Sequence, residues 1–154
     1  MFLSIALAVI FIDQLTKFLA VHFLIPYEPV PILSELLHFT LAFNSKAAFS
    51  IGPASTWVFT IISSLATLAL LWFGPKFRTR QWLVLGGFAL GGVVGNLIDR
   101  LVRDPGFPNG HVVDFIQIPF NFPVFNVADM AISISAALIA LRVIRGDRIG
   151  GKND

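Results

Sequence analysis

Two aspartates, Asp114 and Asp129, are the residues of this 154-residue chain best suited to chemistry. Asp114 lies in the strand-like run Val112-Val113-Asp114-Phe115, whose apolar flanks argue against a free loop. Asp129 follows Phe125-Asn126-Val127-Ala128 at the head of an apolar stretch, where a helix N-terminus favours an acid. If the strand returns toward the start of that helix, the two carboxyl groups meet. Two carboxylates forced together do not both ionise easily. One keeps its proton while the other takes a proton from water, which lets such a pair hydrolyse an amide with neither metal nor covalent nucleophile. Spacing alone leaves the meeting open, because Asp129 is also unremarkable as a plain N-terminal helix charge.

Two further clusters join them. Asp13 and Lys17 are four apart with the acid first, the better order for a pair on one helix face. They either neutralise each other as a structural ion pair, or Lys17 reaches out to a substrate or loop carbonyl. The segment GGFALGGVVGNLIDR places Asn96 and Arg100 four apart, and Asp99 four after Gly95. Arg100 is long enough to snorkel into headgroups. Asn96 is not, so it needs a protein partner. Gly87, Gly91 and Gly95 form a smooth stripe that reads as helix packing.

Other chemistries fit poorly. The chain has no cysteine, so disulfides, thiol catalysis and cysteine-ligated metals are excluded. His22, His38 and His111 lack metal-ligand spacing and read as interface or loop residues. Ser63, Ser64, Ser133 and Ser135 have no Lys or His partner nearby in sequence and read as packing groups. No phosphate-binding or dinucleotide motif occurs, and no cofactor or metal is expected. The sequence pI is about 9.4, but the basic residues form two short clusters and the net charge is only +2, so no nucleic-acid partner is expected.

The elements that must position these groups are set by composition. Hydrophobic residues make up 56% of the chain and charged ones 13%, against roughly 25% charged in soluble domains. With a mean hydropathy of +0.80, its apolar surface is expected to face lipid. The expectation is a single domain, 1–154, with spans at about 1–24, 55–73, 82–101 and 124–144. Pro26 stops the first and Gly74-Pro75 the second. The N-terminal stretch has no basic flank, holds Asp13 and Lys17, and lacks a small-x-small site, so it reads as a retained helix rather than a cleaved signal peptide.

Lys76, Arg78 and Arg80 between spans two and three, and Arg142, Arg145, Arg148 and Lys152 after span four, fall on one side, which is then cytoplasmic. Trp57, Trp72 and Trp82 fall near span ends, where indole favours the interface. All three charged clusters lie in the outer halves of their helices, where ionisable residues are functional candidates by default. LHFTLAFN at 37–44 and HVVDFIQIPF at 111–120 read as strands, with turn signals at Asp104-Pro105-Gly106 and Asn109-Gly110. The predicted fold is an all-α membrane protein of four transmembrane helices with a small β-structured periplasmic cap.

At this point the chain resembles the lipoprotein signal peptidases, or signal peptidase II. Asp13-Gln14-x-x-Lys17, Asn44-x-x-Ala47-Ala48-Phe49, Gly95-Asn96-x-x-Asp99-Arg100, Val113-Asp114-Phe115 and Phe125-Asn126-x-Ala128-Asp129 look like that family's motifs, in its order, over nearly the whole chain. The resemblance implies an aspartic endopeptidase of the bacterial inner membrane. It would remove signal peptides from diacylglyceryl-modified prolipoproteins, cutting just before the lipidated cysteine. By motif match the catalytic pair falls on Asp114 and Asp129. Asn44, Asn96, Arg100 and Asn126, with Asp99 in the same motif, match site-lining or supporting residues, and Asp13 and Lys17 match a bracing pair. Implied partners are the prolipoprotein substrate, membrane lipids and a globomycin-type inhibitor. One departure stands out: Lys46 occupies a position where the family usually has glycine. The alternative reading is a small transporter or proton-relay subunit, which buried acids also suit, although no internal repeat supports it.

Overall fold

A computed structural model of the chain describes residues 1–45 and 56–147. Four helices, α1 (Phe2–Phe23), α2 (Thr56–Phe73), α3 (Arg80–Val102) and α4 (Val127–Ile144), are long and apolar enough to cross a membrane. At 1.5 Å per residue they span roughly 27–35 Å, matching a hydrocarbon core of about 30 Å. A short 3-10 turn over Gly74–Lys76 extends α2. Three strands, β1 (Val30–Leu33), β2 (Leu37–Asn44) and β3 (Val112–Gln117), form an antiparallel sheet in the order β1-β2-β3.

The central helix is α3. In its apolar stretch 61% of residues are buried, against 11% in that of α2, whose Leu68 and Trp72 stand outward. Small residues explain the difference. A Cβ at Gly87 or Gly91 would lie 2.8 Å from the carbonyl oxygen of Phe2 or Ala6, so these glycines let α1 lie against α3. Phe2, Ala6 and Leu90 make an apolar cluster at one end of this contact. At the other end Ala20 of α1 packs on Leu41, Val113 and Phe115 of the sheet.

The predicted strand at 37–44 coincides with β2, and the one at 111–120 is observed as Val112–Gln117. Strand β1 was not predicted, and Pro31 within it is unusual for a strand interior. Its place at the sheet edge, beside β2, makes the proline tolerable. Span four begins at Val127 rather than 124. Phe125 instead forms a bridge with Ile116, donating its N–H to the Ile116 oxygen at 2.9 Å. Trp57 and Trp72 are exposed near the ends of α2, as expected, but Trp82 is only 3% exposed and stacks on Phe77. It belongs to the protein interior. Arg148 and Lys152 of the basic tail, and Lys46 with Ala47, Ala48 and Phe49, lie outside the described residues.

Candidate active site

Strand pairing places Asp114. In the β2–β3 register Asp114 is opposite Ala42, and Asn44 is opposite Val112. Side chains two apart share a face, so Asn44 and Asp114 are diagonal neighbours. Asn44 Nδ2 donates to Asp114 Oδ2 at 2.9 Å. The other face of β3 carries Val113 and Phe115 into the apolar cluster beneath the sheet, which fixes the side to which Asp114 turns. Only 2% of Asp114 is exposed.

The Ile116–Phe125 bridge then folds the chain back and delivers Asn126 and the start of α4 to the same place. Asn126 caps that helix: its Oδ1 accepts the Asp129 N–H at 2.9 Å, and Asp129 Oδ2 accepts the Asn126 N–H at 3.2 Å. The same Asn126 side chain donates from Nδ2 to Asp114 Oδ1 at 2.6 Å. Asn96 of α3 donates from Nδ2 to Asp129 Oδ1 at 2.7 Å. Asp114 and Asp129 thus sit on one asparagine-linked network.

Behind it lies a buried ionic cluster. Lys17 Nζ is 2.9 Å from each of Asp13 Oδ2, Asp99 Oδ2 and Asn96 Oδ1, and Asp13, Lys17 and Asp99 are all fully buried. Asp13 Oδ1 accepts the Ala128 N–H at 2.9 Å, an otherwise orphan donor in the first turn of α4. Asp99 accepts the Val113 N–H at 3.1 Å and so pins β3 to α3. Two members had no role assigned from sequence. Gln14 Nε2 bridges Asp99 and the Gly95 carbonyl, and Arg103 pairs with Asp99 at 2.8 Å. Arg103 was legible in principle, since it follows Asp99 by four.

Arg100 does not snorkel away. It donates to the Asn96 carbonyl at 3.2 Å, lies 6.0 Å from the centre of the Phe59 ring, and turns its charge toward Asp129, Asp99 and Asp114. With Asn44, Asn96, Asp114 and Asp129 it forms the polar side of a cavity of about 590 Å³. The rest of the lining is mostly apolar, with Phe122, Met130 and Ile134 prominent, and includes Ser133, read from sequence as a packing group. Met130 and Ile134 follow from α4 periodicity, whereas nothing in the sequence placed Phe122 at the cavity. All nine sequence-predicted site residues are therefore at this end of the bundle. Five line the cavity, Asn126 joins the two acids, and Asp13, Lys17 and Asp99 stand behind. His22, His38 and His111 do not line it. Among the described residues no three His, Cys, Asp or Glu gather to hold a metal ion.

Burial pushes the Asp114 carboxyl up to about 7, and the charge of Asp129 adds to the rise. The Asn44 and Asn126 hydrogen bonds oppose it. The chamber therefore holds an acid able to carry a proton near neutral pH. It stands beside a second carboxylate and apolar lining residues, an arrangement able to move protons at a bound group.

Residues 5–145 match the family model described as Signal peptidase (SPase) II. A lipoprotein signal peptidase of Leifsonia xyli subsp. xyli is 43% identical over 148 residues, covering 96% of this chain and 68% of the relative. One from Mycobacterium avium is 43% identical over 144 residues, covering 94% and 79%. Among solved structures, a bacterial membrane enzyme determined by the in meso method at 2.3 Å resolution superimposes with a TM-score of 0.84 at 26% identity, covering 99% of this chain and 93% of that one. A second, at 1.9 Å, gives 0.81 at 28% identity, covering 93% and 92%.

Proposed function

The chain belongs to the signal peptidase II family, and from that premise we propose that it is an aspartic endopeptidase that removes signal peptides from diacylglyceryl-modified prolipoproteins. Family membership makes it a multi-pass membrane protease of prolipoprotein processing and sets the transporter reading aside. The catalytic pair is Asp114 and Asp129. The observation that carries this reading is that both acids line one cavity and are joined through the Asn126 side chain.

In the proposed reaction one carboxylate takes a proton from water as the water oxygen attacks the scissile carbonyl. The protonated partner gives its proton to the carbonyl oxygen, and the collapse of the tetrahedral intermediate returns a proton to the leaving amine. The products are the signal-peptide carboxylate and the free amine of the lipidated cysteine. Cleavage falls just before that cysteine, whose acyl chains rest against the apolar wall at Phe122, Met130 and Ile134. Arg100, Asn44 and Asn96 face the peptide. A globomycin-type cyclic peptide is expected to compete for the same cavity.

The enzyme lies in the bacterial inner membrane. Both termini are cytoplasmic, because Lys76 and Arg78 precede α3, which opens on Arg80, and Arg142 and Arg145 end α4. The sheet and cavity then face the periplasm, where the lipid anchor holds the scissile bond at the membrane surface. The test is cleavage of a diacylglyceryl-modified precursor by protein in lipid nanodiscs. Asp114→Asn and Asp129→Asn should each abolish turnover while leaving the protein folded. Turnover by either folded variant would overturn the aspartic mechanism.

A further inference from the structure

Lys17 is wholly buried and does not line the cavity, yet it is bonded to Asn96, which does. An ammonium donates three hydrogen bonds and accepts none. Its three oxygen partners, on Asp13, Asp99 and Asn96, are all at 2.9 Å. The Asn96 amide must therefore turn Oδ1 toward Lys17, since the reverse orientation would press its NH₂ against the ammonium. That choice commits Asn96 Nδ2 to Asp129 Oδ1, at 2.7 Å. A second donor, Asn126 Nδ2, approaches the same Asn96 oxygen at 3.2 Å, while the Asn126 oxygen is held by the Asp129 N–H. Both oxygens of Asp129 thus face donors, Asn96 Nδ2 and the Asn126 N–H, as both oxygens of Asp114 face Asn44 Nδ2 and Asn126 Nδ2.

On the reading that Asp114 and Asp129 are the catalytic pair, we propose that Lys17 is a positioning residue: by fixing the Asn96 amide it holds a hydrogen-bond donor against the Asp129 carboxylate. The groups facing Lys17 are Asp13 on its own helix and Asn96 and Asp99 on α3, with Arg103 already compensating Asp99 from the other oxygen at 2.8 Å. A purely structural Lys17 would neutralise Asp13 and Asp99 without its bond to Asn96 mattering to the reaction.

The two roles separate in the pH dependence of kcat for a diacylglyceryl-modified lipopeptide in nanodiscs. Lys17→Met removes the donor. Asp13→Asn/Lys17→Met removes it while keeping the cluster's charge balanced, so that loss of folding in the single variant does not decide the matter. Asn96→Asp keeps an acceptor toward Lys17 but has no donor for Asp129. In each folded variant kcat should fall by about tenfold or more with KM within about twofold. The acid limb should move to higher pH, because the pair loses a donor to its ionised form. An unmoved limb in the folded double variant, a loss confined to KM, or failure of both Lys17 variants to fold would make Lys17 a structural counter-charge and overturn the proposal. Turnover by folded Asp129→Asn would instead remove the aspartic reading itself, and the proposal with it.

Discussion

Asn126 is bound to both acids at once: its Nδ2 donates to Asp114 Oδ1 at 2.6 Å while its Oδ1 accepts the Asp129 N–H at 2.9 Å. One fully buried side chain thus caps α4 and couples a strand residue to a helix residue. The relation makes fold and chemistry inseparable at this position, since whatever starts the helix also sets the spacing of the pair.

Replacing Asn126 should therefore damage both. Asn126→Ala loses the cap, worth about 1 kcal/mol, and leaves buried partners unsatisfied, at about 1–3 kcal/mol more. Asn126→Asp keeps a capping oxygen but sets a third carboxylate against Asp114. Thermal unfolding in detergent should show Asn126→Ala clearly destabilised. Turnover of the lipopeptide should fall by about a hundredfold or more in both variants. Near-normal turnover in folded Asn126→Asp would show that the amide link is dispensable.

Two glycines should differ in their effect on turnover. A Cβ at Gly95 would lie 2.6 Å from Asp13 Oδ2, an oxygen held by Lys17. Gly95→Ala must displace that cluster, with a loss of roughly 1–3 kcal/mol from overpacking and a drop in turnover transmitted through Lys17 and Asn96. At Gly106 a Cβ would meet nothing within 4 Å, and φ is +98°. Gly106→Ala should carry roughly 1–3 kcal/mol of backbone strain and retain turnover. Paired melting curves and rates test the contrast. Equal loss of activity in the two would break the link between the ionic cluster and the site.

The spans, β2, β3 and the charged clusters were legible because each is a local pattern: an apolar run of membrane length, alternation with turn residues, or charge where lipid makes it costly. What was not legible is pairwise and distant. Strand β1 shows its nature only once β2 is beside it, since Pro31 is tolerable at an edge alone. The start of α4 at Val127 is set by Phe125 bridging to Ile116, a contact no window of sequence contains. Lys17 was visible as the partner of Asp13. Its bonds to Asp99 and Asn96 depend on α1 lying against the glycine stripe of α3. Even there the stripe was readable as packing while its consequence for Asn96 was not.

The orientation is testable directly. Reporter fusions at Gly106, in the loop between α3 and β3, and at the C-terminus should report opposite faces of the membrane, with the C-terminus cytoplasmic. The same face for both would refute the four-span topology. The reverse assignment would put the cavity on the cytoplasmic side and sink the proposed meeting with a substrate anchored in the outer leaflet.

The final prediction concerns pH, and its sign follows from Asp114. Its carboxyl is held up at about 7 in the folded protein against an ordinary value of 3.8. Between those values the native state binds more protons than the unfolded chain, so stability must fall as pH rises through that window and stay lower above it. A shift of that size corresponds to roughly 4 kcal/mol at full effect, since each unit is worth about 1.4 kcal/mol. Wild-type protein in detergent should therefore melt at a lower temperature at about pH 8 than at about pH 5. Asp114→Asn carries no titrating proton. Its melting temperature should be flatter over that range and should exceed the wild type's at the alkaline end, although its turnover is lost throughout. Activity in the wild type should follow a bell-shaped profile whose two limbs belong to the pair rather than to either residue. A wild type as stable at the alkaline end as at the acid end, with Asp114→Asn giving no gain there, would mean that Asp114 is already ionised when folded. The buried acid would then be unable to supply the proton that the reaction requires.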